Sequence, residues 1–172
     1  DFEGGTFPAG WTQTSSSPVE VSSTTPCAGD YSARLLINTA NPQARIRSAI
    51  DTSTVGGNDI QVSFTYKIIN QTDGTATPTT FGKLYLEYTT DANAANPVWT
   101  TYSAINDLAN PNNTPHVPST SCTVHTATIS GTNIPANAHF AWRIRMEWSA
   151  GSYYVYIDDF LAVEQVDCIQ PI

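Results

Sequence analysis

The residue types that enzymes use for chemistry are present in this sequence, but they do not form a known catalytic pattern. The three histidines, His116, His125 and His139, are far apart and have no partners at metal-ligand spacing. The sequence has no GxSxG, no HExxH, no phosphate-binding glycine loop and no dinucleotide fingerprint. Asp158 and Asp159 are adjacent carboxylates, but neighbouring residues of a strand point to opposite faces and cannot act on one bond. We therefore expect a chain without a catalytic centre.

The cysteines provide the next possible chemistry. Cys27, Cys122 and Cys168 are too far apart for a CxxC zinc or redox motif. Three cysteines allow one disulfide and leave one thiol, which is either buried or paired with a segment outside this sequence. Because disulfides are typical of oxidising compartments, we expect a secreted or cell-surface protein.

The composition excludes several classes of partner. With 172 residues the chain suits one domain, expected at residues 1–164 and followed by a tail or linker at 165–172. A net charge of -8, with only 7 Lys and Arg, offers no basic surface to nucleic acid or to an anionic membrane. No stretch approaches the roughly 18 apolar residues of a transmembrane helix. The sequence starts at Asp1 without Met or an apolar leader, so we expect a processed product or one domain of a larger chain.

Alternating apolar and polar residues dominate the rest of the sequence. The clearest examples are residues 60–69, 83–90 and 140–149, where every second side chain is apolar, as in strands buried on one side. Turn-forming pairs such as Gly56-Gly57 and Asp73-Gly74 separate the strands, and 106–121 is a long proline-containing loop. This pattern predicts an antiparallel sandwich or barrel. The eight predicted strands are 31–38, 44–50, 60–69, 83–90, 98–105, 124–130, 140–149 and 153–163.

Short motifs near both ends of the sequence occur in a characteristic order. The motifs are Phe2-Glu3, Gly10-Trp11, Gly29-Asp30-Tyr31-Ser32 and Ile157-Asp158-Asp159. Together they resemble the extracellular jelly-roll domains of the MAM, cleaved-adhesin and choice-of-anchor J families, and are similar to several carbohydrate-binding modules. The resemblance covers nearly the whole chain. It implies an all-β fold, a two-sheet antiparallel β-sandwich with jelly-roll topology.

The resemblance also implies a structural cation, usually calcium, where the first and last strands meet. It points to Glu3 and Asp159 as carboxylate ligands, with Asp30 or nearby backbone carbonyls completing the shell of about 6–8 oxygens. Such an ion would stabilise only the folded state. The alternative is that these are ordinary carboxylates that accept hydrogen bonds from backbone amides.

Jelly-roll strand order makes one further prediction about side chains. It places the second, seventh, fourth and fifth predicted strands in one sheet, whose outer face collects four of the 7 basic residues. Arginine forks suit sugar hydroxyls and carboxylates, and aromatic rings stack on sugar rings. We therefore expect this face to bind a glycan, with an acidic polysaccharide as one candidate. The predicted ligand-binding residues are Arg45, Arg47, Tyr85, Glu87, Trp99, Arg143, Arg145 and Glu147.

Two alternatives compete with this binding face. Arg and Glu on adjacent strands commonly form solvated cross-strand pairs, and the loop rim near Trp99 and Asp107 is a second possible surface. Trp142 and Trp148 share the apolar phase of their strand, and Trp11 matches a core position of the resembling families. Among the four tryptophans, only Trp99 is expected to be exposed.

Strand order leaves the disulfide open. The first and eighth predicted strands are neighbours, so a Cys27–Cys168 bridge is possible. The alternative, Cys27–Cys122, leaves Cys168 for a following domain.

Three functions fit the sequence. The first is a glycan-binding module attached to a secreted multidomain protein, itself monomeric. The second is an adhesin or protein-interaction domain of a surface protein. The third is a surface glycosidase or lyase, which would need a long cleft around the predicted face.

Overall fold

Two β-sheets form the structure in the computed structural model, which describes residues 2–13 and 19–166. The strands are β1 (Thr12–Gln13), β2 (Val19–Ser22), β3 (Ser32–Ile37), β4 (Gln43–Arg47), β5 (Ile60–Asn70), β6 (Gly82–Thr89), β7 (Thr100–Ile105), β8 (Asn113–Thr114), β9 (Thr123–Ile129), β10 (Ala141–Trp148) and β11 (Tyr153–Glu164). A single 3₁₀ turn, Gly131–Asn133, follows β9 in this part of the chain. Within the same ranges, no helix is long and apolar enough to cross a membrane.

The strand order confirms the predicted jelly-roll sandwich. The front sheet has the order β1-β4-β10-β6-β7-β8 and the back sheet the order β2-β3-β11-β5-β9. The pairing is antiparallel except between β7 and β8. The second, seventh, fourth and fifth predicted strands are β4, β10, β6 and β7, and they are neighbours in that order. The strands missed by the sequence analysis, β1, β2 and β8, have two to four residues, too few for an alternating pattern to be recognised.

The core lies between the sheets and follows the alternating pattern. Val62 and Phe64 of β5 face Ile144 and Met146 of β10 as members of one buried cluster. Each buried side chain of this size contributes roughly 1.5–3 kcal/mol of hydrophobic stabilisation. Trp142 is buried in the same cluster, as predicted. The two other tryptophans expected in the core, at positions 11 and 148, are partly buried and pack against it.

A β-bulge interrupts β11. The register with β5 shifts between Asp158 and Leu161, and Asp159 adopts a positive φ of 49°. An extra residue of this kind breaks the period of two and re-aims the side chains that follow. Phe160 therefore turns inward, where its ring centre lies 4.4 Å from that of Trp142. Asp158 stays on the outer face of the back sheet.

The disulfide links Cys27 to Cys122, with a Cα–Cα distance of 5.6 Å. These cysteines precede β3 and β9, which are three strand spacings apart in the back sheet, or about 14 Å. The loop before β3 spans this distance across the outer face, where Asp158 accepts a hydrogen bond from the Ala28 backbone N at 3.3 Å. Strand order alone could not show this crossing. Cys168 and the tail beyond residue 166 lie outside the described residues, as does Asp1.

Candidate functional site

The outer face of the front sheet brings the predicted binding residues together. In the register, Arg143 of β10 pairs with Arg47 of β4 on one side and with Glu87 of β6 on the other. Two residues along, Arg145 lies between Arg45 and Tyr85 in the same way. Because the intervening residues are buried in the core, these side chains all point outward. The binding face is defined here by Arg45, Arg47, Tyr85, Glu87, Trp99, Arg143, Arg145 and Glu147.

Glu87 is the centre of the charge network on the binding face. Its side chain is only 5% exposed. It accepts hydrogen bonds from Arg143 Nε at 2.5 Å, from Arg145 Nε at 2.8 Å and from Thr101 Oγ1 at 3.0 Å. Burial by itself would raise the pKa of Glu87, but the hydrogen bonds and charges of the two arginines outweigh it and lower the pKa. Glu87 is therefore ionised at neutral pH and fixes both guanidinium groups.

The aromatic rings of the binding face pack against these guanidinium groups. The Cζ atom of Arg143 lies 4.1 Å from the centre of the Trp99 ring, and that of Arg47 lies 5.6 Å away. Arg145 contacts Tyr85 in the same manner at 4.2 Å. These distances are in the range of cation–π interactions. The network that holds the arginines therefore also positions the rings.

Loops at both ends of the binding face complete its support. Arg47 Nη2 donates to the Ala92 carbonyl at 2.8 Å, and Asp91 Oδ1 accepts from the Val98 backbone N at 3.1 Å, directly before Trp99. At the other end, the Tyr85 hydroxyl and Lys83 Nζ bind the Asp107 carboxylate at 3.0 Å and 2.9 Å. The bond from Lys83 is the main reason that the pKa of this carboxyl is lowered. Arg47, Tyr85 and Asp107 were named in the sequence analysis, but the contacts of Asp91 and Ala92 were not predicted, because loop contacts leave no periodic signal.

Exposure decides which groups a ligand could touch. Tyr85 is only 6% exposed, so its ring is not an open platform. Trp99 is half-buried, which leaves part of its ring accessible. The Glu147 side chain is 37% exposed and accepts a hydrogen bond from Arg145 Nη1. Arg45 donates from Nη2 to Gln43 at 3.0 Å, but its Nε is buried without a hydrogen-bond partner among the described residues.

The predicted calcium ligands lie in a different region. Glu3 accepts hydrogen bonds from the backbone N of Asp30 at 2.9 Å and of Tyr31 at 3.4 Å. Asp159 is exposed on the bulge, and it is Asp158 whose carboxylate faces the same loop. No group of three His, Cys, Asp or Glu side chains in residues 2–13 and 19–166 is arranged to hold a metal. Glu3 therefore has the geometry of the alternative given above, a carboxylate that accepts hydrogen bonds from backbone amides. The calcium ion stays a prediction.

The two sheets define the chain as a jelly-roll β-sandwich of the type found in carbohydrate-binding modules. Among solved structures, it matches the C-terminal family 22 module of Clostridium thermocellum Xyn10B with a TM-score of 0.64 and 15% identity, over 98% of this chain and 92% of that one. It matches TmCBM61 in complex with β-1,4-galactotriose with a TM-score of 0.54 and 17% identity, over 95% and 94%. A third match, to carbohydrate-binding modules of the β-sandwich superfamily, has a TM-score of 0.59 and 13% identity, and covers 95% of this chain and 60% of the other.

At 13–17% sequence identity, these structural matches show a shared fold and nothing beyond it. No family model matches the sequence, and no curated protein matches it. The resemblance to the MAM and choice-of-anchor J families therefore stays a prediction.

Proposed function

We propose that this chain is a non-catalytic carbohydrate-binding module and that a polysaccharide binds across the binding face. The observation that carries the proposal is the half-buried Trp99 ring, fixed beside Arg143 and Arg47 on the outer face of a sheet. A ring held in this way can stack on the apolar face of a sugar without first losing conformational freedom. The guanidinium N–H groups not used by Glu87 can donate to the hydroxyls around the sugar ring.

The ion pairs favour a neutral polysaccharide over the acidic one predicted from the arginine count. Arg143 and Arg145 share the Glu87 carboxylate, and Arg145 also pairs with Glu147. Lys83 pairs with Asp107, which lies in the loop after β7. At Arg143 and Arg145, which hold the centre of the face, an anionic ligand would have to compete with the carboxylate of Glu87 that is already buried between them. A neutral ligand needs only stacking and hydrogen bonds, which the binding face offers without breaking any pair.

Replacing Trp99 by Ala tests the proposal. Affinity electrophoresis on soluble xylan and β-1,4-galactan should show at least about a tenfold loss of affinity, the equivalent of one truncated aromatic contact of about 1.4 kcal/mol. Tyr154→Ala is the matched control, because this ring also packs against an arginine, Arg34 at 4.5 Å, but on the outer face of the back sheet. Equal retention of the two variants would move the binding surface away from Trp99.

An adhesin or protein-interaction domain is the second candidate. It is favoured by two exposed apolar residues in the loops that flank the binding face, Val98 at 72% and Leu108 at 92% exposure. In that case the chain would bind a protein partner and show no retention on any polysaccharide.

We also propose a secreted or cell-surface location, as a monomeric domain of a larger protein. The Cys27–Cys122 bridge supports this location, because disulfides persist in oxidising compartments. A structural calcium ion near Glu3 belongs to the same proposal, and its test is given in the Discussion.

A further inference from the structure

A pocket of about 220 Å³ opens between the two sheets at one end of the sandwich. We call it the rim pocket and define it by Trp11, Asp51, Thr54, Trp142, Phe160 and Glu164, which line it. It lies behind the binding face and not on it. Arg143 points outward to Trp99, whereas its neighbour Trp142 is buried in the core and lines the pocket.

One wall of the rim pocket is aromatic and already packed. The ring centres of Trp11 and Trp142 are 5.2 Å apart, and Phe160 lies 5.1 Å and 4.4 Å from them. The bulge at Asp159 produces this wall, because it turns Phe160 inward from a strand that would otherwise place it outside. Trp11 and Phe160 are only partly buried, so the wall exposes ring surface to the pocket.

The polar groups of the rim pocket can accept hydrogen bonds but have few to donate. The Thr54 hydroxyl donates to the Pro135 carbonyl at 3.0 Å and accepts from the Ala138 backbone N at 2.9 Å, so its one donor is used and it can only accept from a ligand. Asp51 is exposed, and its Oδ1 accepts from Ser53. Glu164 accepts from the Val55 backbone N. Of the described residues that line the pocket, none is Lys, Arg or His.

This lining selects a class of ligand. Two carboxylates without a basic partner repel an anion, and acceptor groups require a ligand that brings its own donors. The aromatic wall requires an apolar face. An organic cation would meet the last condition, but both carboxylates already accept backbone hydrogen bonds, Asp51 from Ser53 N at 2.8 Å and Glu164 from Val55 N at 3.0 Å, and a quaternary ammonium group has no N–H to donate to the remaining acceptors. A sugar ring combines an apolar face with hydroxyl donors around its edge and needs no unbalanced charge.

We propose that the rim pocket is a second carbohydrate site, separate from the binding face, that holds a single neutral sugar ring. The volume supports one ring, since pockets for larger ligands usually span about 300–1,000 Å³. The mixture of aromatic wall and few polar groups is that of small-molecule sites in general. The proposal does not depend on the binding face, because the two sites share no side chain.

The test is chemical-shift mapping of the labelled protein with D-xylose, D-galactose and D-glucose, each added alone at millimolar concentration. One set of shifts should appear in amides around the rim pocket, including Thr54 and Phe160, distinct from any shifts in amides beside Trp99. Ala162→Phe fills the pocket from an exposed position on its lining and should abolish these shifts. Trp99→Ala should leave them unchanged. An unchanged melting temperature shows that Ala162→Phe folds.

Three results would overturn the proposal. The first is the absence of rim-pocket shifts with all three sugars. The second is a set of rim-pocket shifts that survives in Ala162→Phe. The third is a response to tetramethylammonium chloride without a response to the sugars, which would make the rim pocket a site for organic cations. None of these outcomes depends on Trp99, so failure here is distinct from failure of the binding face.

Discussion

Replacing Glu87 by Gln removes one negative charge from the centre of the binding face and keeps the shape of the side chain. Glu87 is the shared acceptor of Arg143 and Arg145, whose side chains are only 17% and 14% exposed. Without the carboxylate, two largely buried guanidinium groups lose their common partner. An amide can accept one of their hydrogen bonds, but it offers no charge in return.

The expected cost follows from this geometry. Removing one member of a buried ion pair typically costs about 3–5 kcal/mol, because the charge left behind is uncompensated. The two arginines retain some contact with water, so we expect the lower end, about 3 kcal/mol. With a urea m-value of about 2 kcal/mol per molar, the unfolding midpoint should fall by about 1.5 M. Equilibrium urea unfolding at pH 7, followed by tryptophan fluorescence, measures this shift.

Glu147→Gln is the matched control. Glu147 also accepts a hydrogen bond from Arg145, but its side chain is 37% exposed, and ion pairs with this exposure contribute at most about 1 kcal/mol. If the Glu87 variant loses no more stability than the Glu147 variant, the carboxylate of Glu87 does not hold the face together. The argument for pre-positioned arginines would then be wrong.

Three further predictions concern the rest of the molecule. Removing the Cys27–Cys122 bridge by a double Ser substitution should lower the free energy of unfolding by about 4–5 kcal/mol from chain entropy, since it joins residues 95 apart; a loss below about 1 kcal/mol in urea would contradict this. Burial lowers the pKa of His125 and of His116, so the unfolded chain binds more protons and stability should fall as the pH drops below about 6.5. His125→Asn should flatten that pH profile, and an unchanged slope would refute the assignment. A chelator should lower the melting temperature and added calcium restore it, with no such response in Glu3→Gln; a melting temperature insensitive to chelator would remove the calcium site.

The fold could be predicted because it depends on side-chain phase. In β10, Ile144 and Met146 are apolar at every second position and Arg145 is polar between them. This alternation is sufficient to assign one side of the strand to the core, and jelly-roll order then assigns its neighbours. The same reasoning brought Arg45 and Arg143 onto one face. The alternation of apolar and polar residues carries no information about contacts made by loops. The path of the Cys27 loop across the back sheet was therefore left open.

The bulge in β11 shows a second limit. Strict alternation from Ile157 predicts that Asp159 and Leu161 face the core and that Phe160 faces outward. The inserted residue reverses these directions, so that Asp159 and Leu161 are exposed and Phe160 turns inward. The resemblance pointed to Asp159 as the carboxylate near the N-terminal loop, whereas Asp158 contacts it. A local change of one residue therefore turned Asp159 outward and the Phe160 ring inward, while Asp158 before it kept its outward direction, and no hydropathy pattern records this change.

Charge on the binding face illustrates why composition misleads about ligands. Counting arginines predicts an attraction for anions, but the count ignores where the carboxylates lie. In the folded chain the Glu87 side chain is only 5% exposed and lies between Arg143 and Arg145, two of the four arginines counted. The other two, Arg45 and Arg47, donate to Gln43 and to the Ala92 carbonyl. The charges of Arg143 and Arg145 stabilise the fold, and what these two arginines offer a ligand is the orientation of their N–H groups and of the Trp99 ring. Affinity for a neutral polysaccharide on this face should therefore depend little on salt, since screening weakens long-range charge attraction but not stacking.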